Sequence, residues 1–378
     1  AMAHMPDQMG SLPDPMLNLG AMNVPTDTYA LDKDSMTMLQ VGVTQAFPWW
    51  GKRAMKQEAF QREALAGEDE ARETRLVLVR DVTSGWWELV FLDRSLEIVA
   101  RNKELMRQLV ELASTKYKVG RGLQQDVLRA QVELSKMTDE EIRMKGMRAM
   151  EASRFAALLH LPPARPVVLP PLADESLPEM DPSWTARGEQ PGEDLAAARP
   201  VVAARKEGME AARSRLELAQ RDYWPNLTLG VSYGIRPYKT IDGMTMPPVV
   251  SVMVGIQMPL YAGWKQSEQE DQRREELSMR EYAFHQGVDQ ARAEIGMALA
   301  AYQQAREQAV LYKTGIIPQS QQTLSAMYSA YQVSKVDFLE VTEAQITLYK
   351  YETEYWRALK EARQALARLA AALGQEKL

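Results

Sequence analysis

The 378-residue chain is 46% apolar and 25% charged, near a globular average, with a formal net charge of −6. The charge, and the scatter of basic residues among acids, give no footing for nucleic acid, and no run approaches the roughly 18–20 apolar residues of a membrane-spanning helix. The absence of cysteine excludes disulfides, thiolate metal ligation and thiol catalysis in these residues. None of this excludes a membrane β-barrel, whose strands are short and alternating.

The chain begins at Ala1 with no charged and then apolar leader, so it reads as a processed or truncated product. Residues 1–14 form an N-terminal remnant carrying Met2, Met5 and Met9 around His4. Thioether sulfur suits Cu(I), but methionine is a common core filler, and core filling is the favoured reading. His160 and His285 are isolated, so neither a metal site nor a cofactor is expected.

Two short stretches follow, "PMLNLGAMNVP" (15–25) and "MLQVGVTQAFP" (38–48), then a long proline-free run from Lys52 to about Ala113. Within it Leu76, Val79, Val82, Trp86, Leu89 and Leu96 recur at helical spacing. A second helical run, from about Leu123 to Leu159, carries Val127, Leu128, Leu134 and Ile142. The segment 160–194 is rich in proline and acid and predicts a connector.

Beyond it, a helix is expected over 194–223, strands over 225–235 and 249–260, and further helical runs to Leu373. In the first of these strands Leu227, Leu229, Val231, Tyr233 and Ile235 alternate with Asn226, Thr228, Gly230, Ser232 and Gly234. In the second, Val250, Val252, Val254 and Ile256 alternate with Ser251, Met253, Gly255 and Gln257. Period two predicts strands with one face apolar and the other wet. Trp49, Trp50 and Trp264 fall where strands hand over to helices, as interfacial anchors or as junction packing. A helix of some 60 residues spans about 90 Å, and rods of that length persist by packing side by side.

The two halves match. "PMLNLG" aligns with "PNLTLG", and "VGVTQAFPWWGKR" with "VGIQMPLYAGWK" with one gap. "YKVGRGLQQDVLRAQVEL" (117–134) aligns with "YQVSKVDFLEVTEAQITL" (331–348) at a constant offset of 214. Landmarks in one order at near-constant offset argue for a duplicated strand-strand-helix-helix unit. The expected organisation is a first repeat over 15–160 (hairpin 15–48, helices 51–118 and 121–160) and a connector over 161–193. The second repeat covers 194–378, with helix 194–223, hairpin 225–260 and helices 264–333 and 336–374. By symmetry a helix is expected ahead of Pro15, outside this sequence. Four strands cannot close a barrel alone; three copies would give twelve, and the helices would continue as a second tube.

In order, repeat and motifs, residues 15–373 resemble the TolC-type outer membrane factors of bacterial tripartite efflux pumps and type I secretion systems. "LPDPMLNLGAMNVP" followed by "VGVTQAFPWWGKR" most resembles the heavy-metal branch, which serves copper/silver and cobalt–zinc–cadmium pumps. The resemblance implies a mostly α fold with a small β part: a homotrimer with a twelve-stranded outer membrane β-barrel in lipid, continuing into a long periplasmic α-helical barrel. It implies a passive channel, with a periplasmic adaptor and an inner-membrane pump as partners and no enzymatic chemistry. The family's adaptor-gripping tips match Val119-Gly120-Arg121 and Val333-Ser334-Lys335, with Arg121 for leucine and Ser334 for glycine. Its acidic constriction rings fall on Glu340 and Glu343, and its aperture latch on Asp126 and Tyr331. The family's constricting arginine aligns with Val336, so that contact is missing or moved to Lys335.

Read alone, Glu340 and Glu343 would be a solvated helix face. At the tip of a trimer, six carboxylates would ring the axis and attract cations. Tyr331 and Asp126 read alone would be a packed aromatic and an acid at a helix start. No phosphate loop, Ser/His/Asp arrangement or HExxH motif is present, so an enzyme is not expected. The alternatives are a multidrug or type I secretion channel, or a soluble coiled-coil scaffold with incidental hairpins.

Overall fold

The computed structural model describes residues 2–162, 167–171, 175–189 and 192–377. Parts of the expected connector, 163–166, 172–174 and 190–191, lie outside the described residues. The chain divides into two compact units: Ala1–Glu70 with Val201–Gly287, and Ala71–Pro200 with Val288–Leu378.

The first unit holds the sheet. β1 (Met16–Met22), β2 (Met38–Phe47), β3 (Asn226–Ile235) and β4 (Val249–Gln257) form one antiparallel sheet in that order. The central pair is therefore made between the two halves of the sequence, β2 against β3, with Val41 opposite Tyr233 and Val43 opposite Val231. A short helix, α1 (Met5–Gly10), precedes the sheet, and Arg53 Nε donates to the Gly10 carbonyl at 2.9 Å.

α2 (Lys52–Lys118) starts directly after β2, and α6 (Pro200–Arg221) leads into β3. A lysine holds that handover. Lys52, 7% exposed, pairs with Asp222 at 3.3 Å and donates to the Trp224 carbonyl at 2.8 Å and Asn226 Oδ1 at 3.0 Å. A buried ammonium is tolerable only with its donors satisfied, as here. Gly51 precedes it at φ +84°, a left-handed conformation that side chains resist.

In the second unit α2 runs on and is joined by α3 (Gln124–Leu158), the short α4 (Pro182–Gly188) and α5 (Gly192–Ala198), and the end of α7 (Ser267–Leu311). α8 (Ile317–Gln332) and α9 (Phe338–Ala372) complete it. Between α7 and α8 a π turn at Tyr312–Ile316 keeps the chain helical through Gly315 and up to Pro318. Another lies at Ala262–Gln266. Such turns take up one extra residue each, and among the described residues both fall in the second copy.

The core of this unit is a coiled-coil seam. On α2, Leu92, Ser95, Val99, Asn102, Met106, Leu109 and Ala113 alternate in steps of three and four, each at most 3% exposed. On α9, Val341, Gln345, Leu348, Tyr355, Leu359, Ala362 and Leu369 keep the same phase and are buried. Cross-links fix an antiparallel pairing: Gln345 Nε2 donates to the Asn102 carbonyl (3.2 Å), Lys360 pairs with Glu88 (3.2 Å), and Gln364 donates to the Ser84 carbonyl (3.0 Å). Described connector residues are strapped onto the helices, since Tyr355 donates to Glu175 at 3.0 Å and Tyr302 donates to the Pro178 carbonyl.

α3 and α9, each 35 residues long, are related throughout by the 214-residue offset. Every end of this repeat closes the same way. Gly120 and Ser334, and likewise His160 and Gly374, are left-handed (φ +72°, +59°, +53° and +74°). In each case the next residue's N–H reaches back to the carbonyl five positions earlier, as in Lys335 to Ala330 (2.9 Å) and Gln375 to Ala370 (2.8 Å). This is the glycine-type helix stop, met twice by a residue that is not glycine.

Two outcomes follow. A Cβ at Gly120 would meet nothing, so Gly120→Ala should cost only its backbone strain, about 1 kcal/mol. At Gly374 a Cβ would lie 2.0 Å from the Ala198 carbonyl oxygen, so Gly374→Ala should cost clearly more in urea melts of the helical signal; equal losses would contradict this packing. Glu141 is held down to about 2 by hydrogen bonds from Lys103 and Lys145. A depressed carboxyl contributes stability above its usual value and loses it as pH falls towards 2. Glu141→Gln should therefore remove part of the acid sensitivity in that window, measured by thermal melts across pH.

Candidate functional site

Two regions bear on function: the paired helix ends in the second unit and one face of the sheet in the first.

At the helix ends, the turns after α2 and α8 have one backbone and unequal side chains. Val119 and Val333 project into solvent at 63% and 64% exposed, and Arg121 and Lys335 are also exposed. Gly120 and Ser334 take the left-handed position of each turn. Gly122 is glycine because a Cβ would lie 2.9 Å from that of Lys116. Its mate Val336 packs into the core beneath, together with Met106, Leu109, Ala113, Ala130, Phe338 and Val341.

Tyr331 belongs to that core. It is 5% exposed and meets the Phe338 ring edge-on at 5.7 Å. Asp126 lies in the first turn of α3, half-buried. Burial, and secondarily the Asp126 charge, push the Tyr331 hydroxyl above its ordinary range. The structure records no hydrogen bond between Asp126 and Tyr331 among the described residues. Glu340 and Glu343 are exposed on the first turns of α9, with no ion pair recorded among the described residues.

One residue here carries no signal in the sequence. Lys116, in the last turn of α2, donates to the Tyr331 carbonyl and, at 3.1 Å, to Ser334 Oγ. Its ammonium also sits 4.0 Å from the centre of the Tyr331 ring. Burial lowers its pKa, opposed by the nearby Asp126 charge. Its counterpart in the second copy is Ala330, so aligning the repeats passes over it.

On the sheet, cross-strand rows assemble the alternation into two faces. Leu19, Val41, Tyr233 and Val250 stand in one row, and Leu17, Val43, Val231 and Val252 in another. All eight are between 47% and 73% exposed. The opposite face carries Asn18, Gln40, Thr44, Thr228, Ser232 and Ser251, with side-chain bonds across strands from Asn18 to Thr44 at 2.7 Å and from Gln40 to Ser232. A contiguous apolar face of this kind requires an apolar environment. At its helix end the expected tryptophans divide: Trp49 stacks on Trp224 at 5.4 Å, while Trp50 and Trp264 are 77% and 80% exposed. Trp224, directly before β3, completes the group and is not singled out by the sequence reading.

No described helix is long and apolar enough to cross a membrane. Among the described residues, no group of three or more His, Asp or Glu could hold a metal ion.

Known proteins are similar to this chain. The protein CyaE of Bordetella pertussis is 23% identical over 277 residues, which span 71% of this chain and 56% of that protein. The outer membrane protein VceC of Vibrio cholerae is 19% identical, with a TM-score of 0.83 over 99% of this chain and 90% of its own. The outer-membrane channel OprN is 17% identical, with a TM-score of 0.81 over 99% and 84%. At such identities the structural likeness speaks for the fold alone. Residues 12–159 and 192–375 match the family described as outer membrane efflux protein, leaving out nearly all of the connector. A duplicated strand-and-helix unit, a sheet apolar on one face and a family match over most of the chain lead to one assignment: the chain belongs to the outer membrane efflux protein family and resides in the outer membrane.

Proposed function

We propose that three copies of this chain form a passive outer membrane channel-tunnel that exports substrates delivered by an inner-membrane pump through a periplasmic adaptor. The observation that carries this reading is the sheet. Among the described residues β1 and β4 each leave an edge without a partner, and one face of the sheet is apolar and exposed across all four strands. Unpaired backbone groups are untenable in lipid, so the edges of one copy must meet those of the next. Three copies supply twelve strands, an even number within the range of closed membrane barrels. The exposed tryptophans then lie at the lipid boundary, where amphipathic rings are favoured.

The helix ends are the periplasmic aperture in this reading. Val119, Gly120, Arg121, Val333, Ser334 and Lys335 form the surface that the adaptor grips, and Asp126 and Tyr331 are latch residues. Glu340 and Glu343, with no ion pair recorded among the described residues, become rings of carboxylates around the axis that favour cations. The substrates are heavy-metal cations, a reading that rests on the motifs at 12–25 and 41–53. The channel itself does no chemistry: the pump supplies the energy.

Val231→Arg on the apolar face should weaken insertion into lipid vesicles by about 2–4 kcal/mol if it sits near mid-bilayer. Ser251→Arg on the wet face should insert as wild type does. Equal behaviour of the two would remove the lipid-facing assignment. In planar bilayers, Glu340→Gln with Glu343→Gln should reduce the preference for cations over anions. An unchanged preference would take these residues out of the constriction.

A further inference from the structure

We infer that Lys116 is the residue that staples the two helix hairpins of each chain together, and so sets how readily the aperture opens. The inference rests on the gating reading above for its functional part, and on contacts within one chain for its structural part.

An ammonium has three N–H donors, and a half-buried one must place all of them. Lys116 has three acceptors on a single neighbour: the Tyr331 carbonyl, the Ser334 hydroxyl at 3.1 Å, and the Tyr331 ring face at 4.0 Å. The last carbonyls of a helix lack partners within the helix, and a cation there is favoured by the helix dipole. Tyr331 is the penultimate residue of α8, and its carbonyl accepts N–H groups of the following turn, that of Ser334 at 3.0 Å among them, together with the Lys116 ammonium. The bond thus runs from the end of α2, in the first copy, to the end of α8, in the second. The other candidate cations do not do this. Lys118 is exposed, and Lys335, also exposed, has no recorded side-chain partner among the described residues. Val336 is apolar and packed inward.

Tyr331 therefore takes part through its carbonyl and its ring. Its hydroxyl has no recorded hydrogen bond among the described residues. This separates the staple from a latch made by the tyrosine hydroxyl. Methionine keeps the length and packing of the lysine stem and removes only the ammonium.

The test uses the full chain in detergent and in planar bilayers, comparing Lys116→Met with Lys118→Met. The staple predicts a severalfold rise in conductance or open time for Lys116→Met, with Lys118→Met near wild type. No rise in Lys116→Met, or an equal rise in Lys118→Met, overturns it. A second arm does not depend on conduction. The cysteine-free chain accepts spin labels at Val119→Cys and Val333→Cys, which report the separation of the two turns. The distance distribution should broaden or lengthen in Lys116→Met; an unchanged distribution overturns the staple. A broadened distribution in a chain that forms no pore upholds the staple and overturns the channel reading instead.

Discussion

The antiparallel seam between α2 and α9 is the constraint on which the helical part depends. Apolar residues in steps of three and four bury well, but they would bury nearly as well after a slip of one heptad, about 10 Å along the axis. Asn102 and Gln345, buried inside the seam at 1% exposed each, act against that slip, since it would set each polar side chain against a different seam neighbour. The arrangement has a cost, because Asn102 Oδ1 remains buried without a partner. Polar residues at such positions trade stability for register. Here the register decides whether the end of α2 arrives beside the end of α8.

The repeat was readable because residues recur at matching positions: Tyr117 with Tyr331, Val119 with Val333, Ala130 with Ala344. The long helices and the alternating strands follow from periodicity alone, since a period of two or of three and four survives in any single sequence. What periodicity could not supply is how the copies differ. Gln131 and Gln345 are the same letter at matching positions, yet Gln131 is exposed and Gln345 is in the seam. The distinction comes from the neighbouring helix, which a sequence pattern does not name. Lys116 escaped for the related reason that its mate is alanine, and its acceptors lie 215 and 218 positions away. The π turn at Tyr312–Ile316 escaped because Gly315 and Pro318 read equally well as a break.

The sheet inverts the usual solution of a water-soluble protein. Its apolar side chains are exposed on one face, and Asn18 and Gln40 bond to hydroxyls across strands on the other. Such a sheet gains nothing from its own chain to cover the apolar face, so the covering has to be the surroundings. The joint with the helices is correspondingly polar and specific. Lys52 gathers Asp222, the Trp224 carbonyl and Asn226 into one knot, tying the strand that ends the first hairpin to the one that begins the second.

Ser334 gives the duplication a direction. Glycine would suit the left-handed turn better, as Gly120 does in the other copy, but glycine offers no hydroxyl to a passing ammonium. The second copy has given up a local preference for an acceptor, and the first copy alone holds the donor. Twin hairpins of common ancestry have thereby become giver and receiver. A change in either cannot be made good by its twin, and selection is free to adjust the strength of that bond from one side without disturbing the fold of the other.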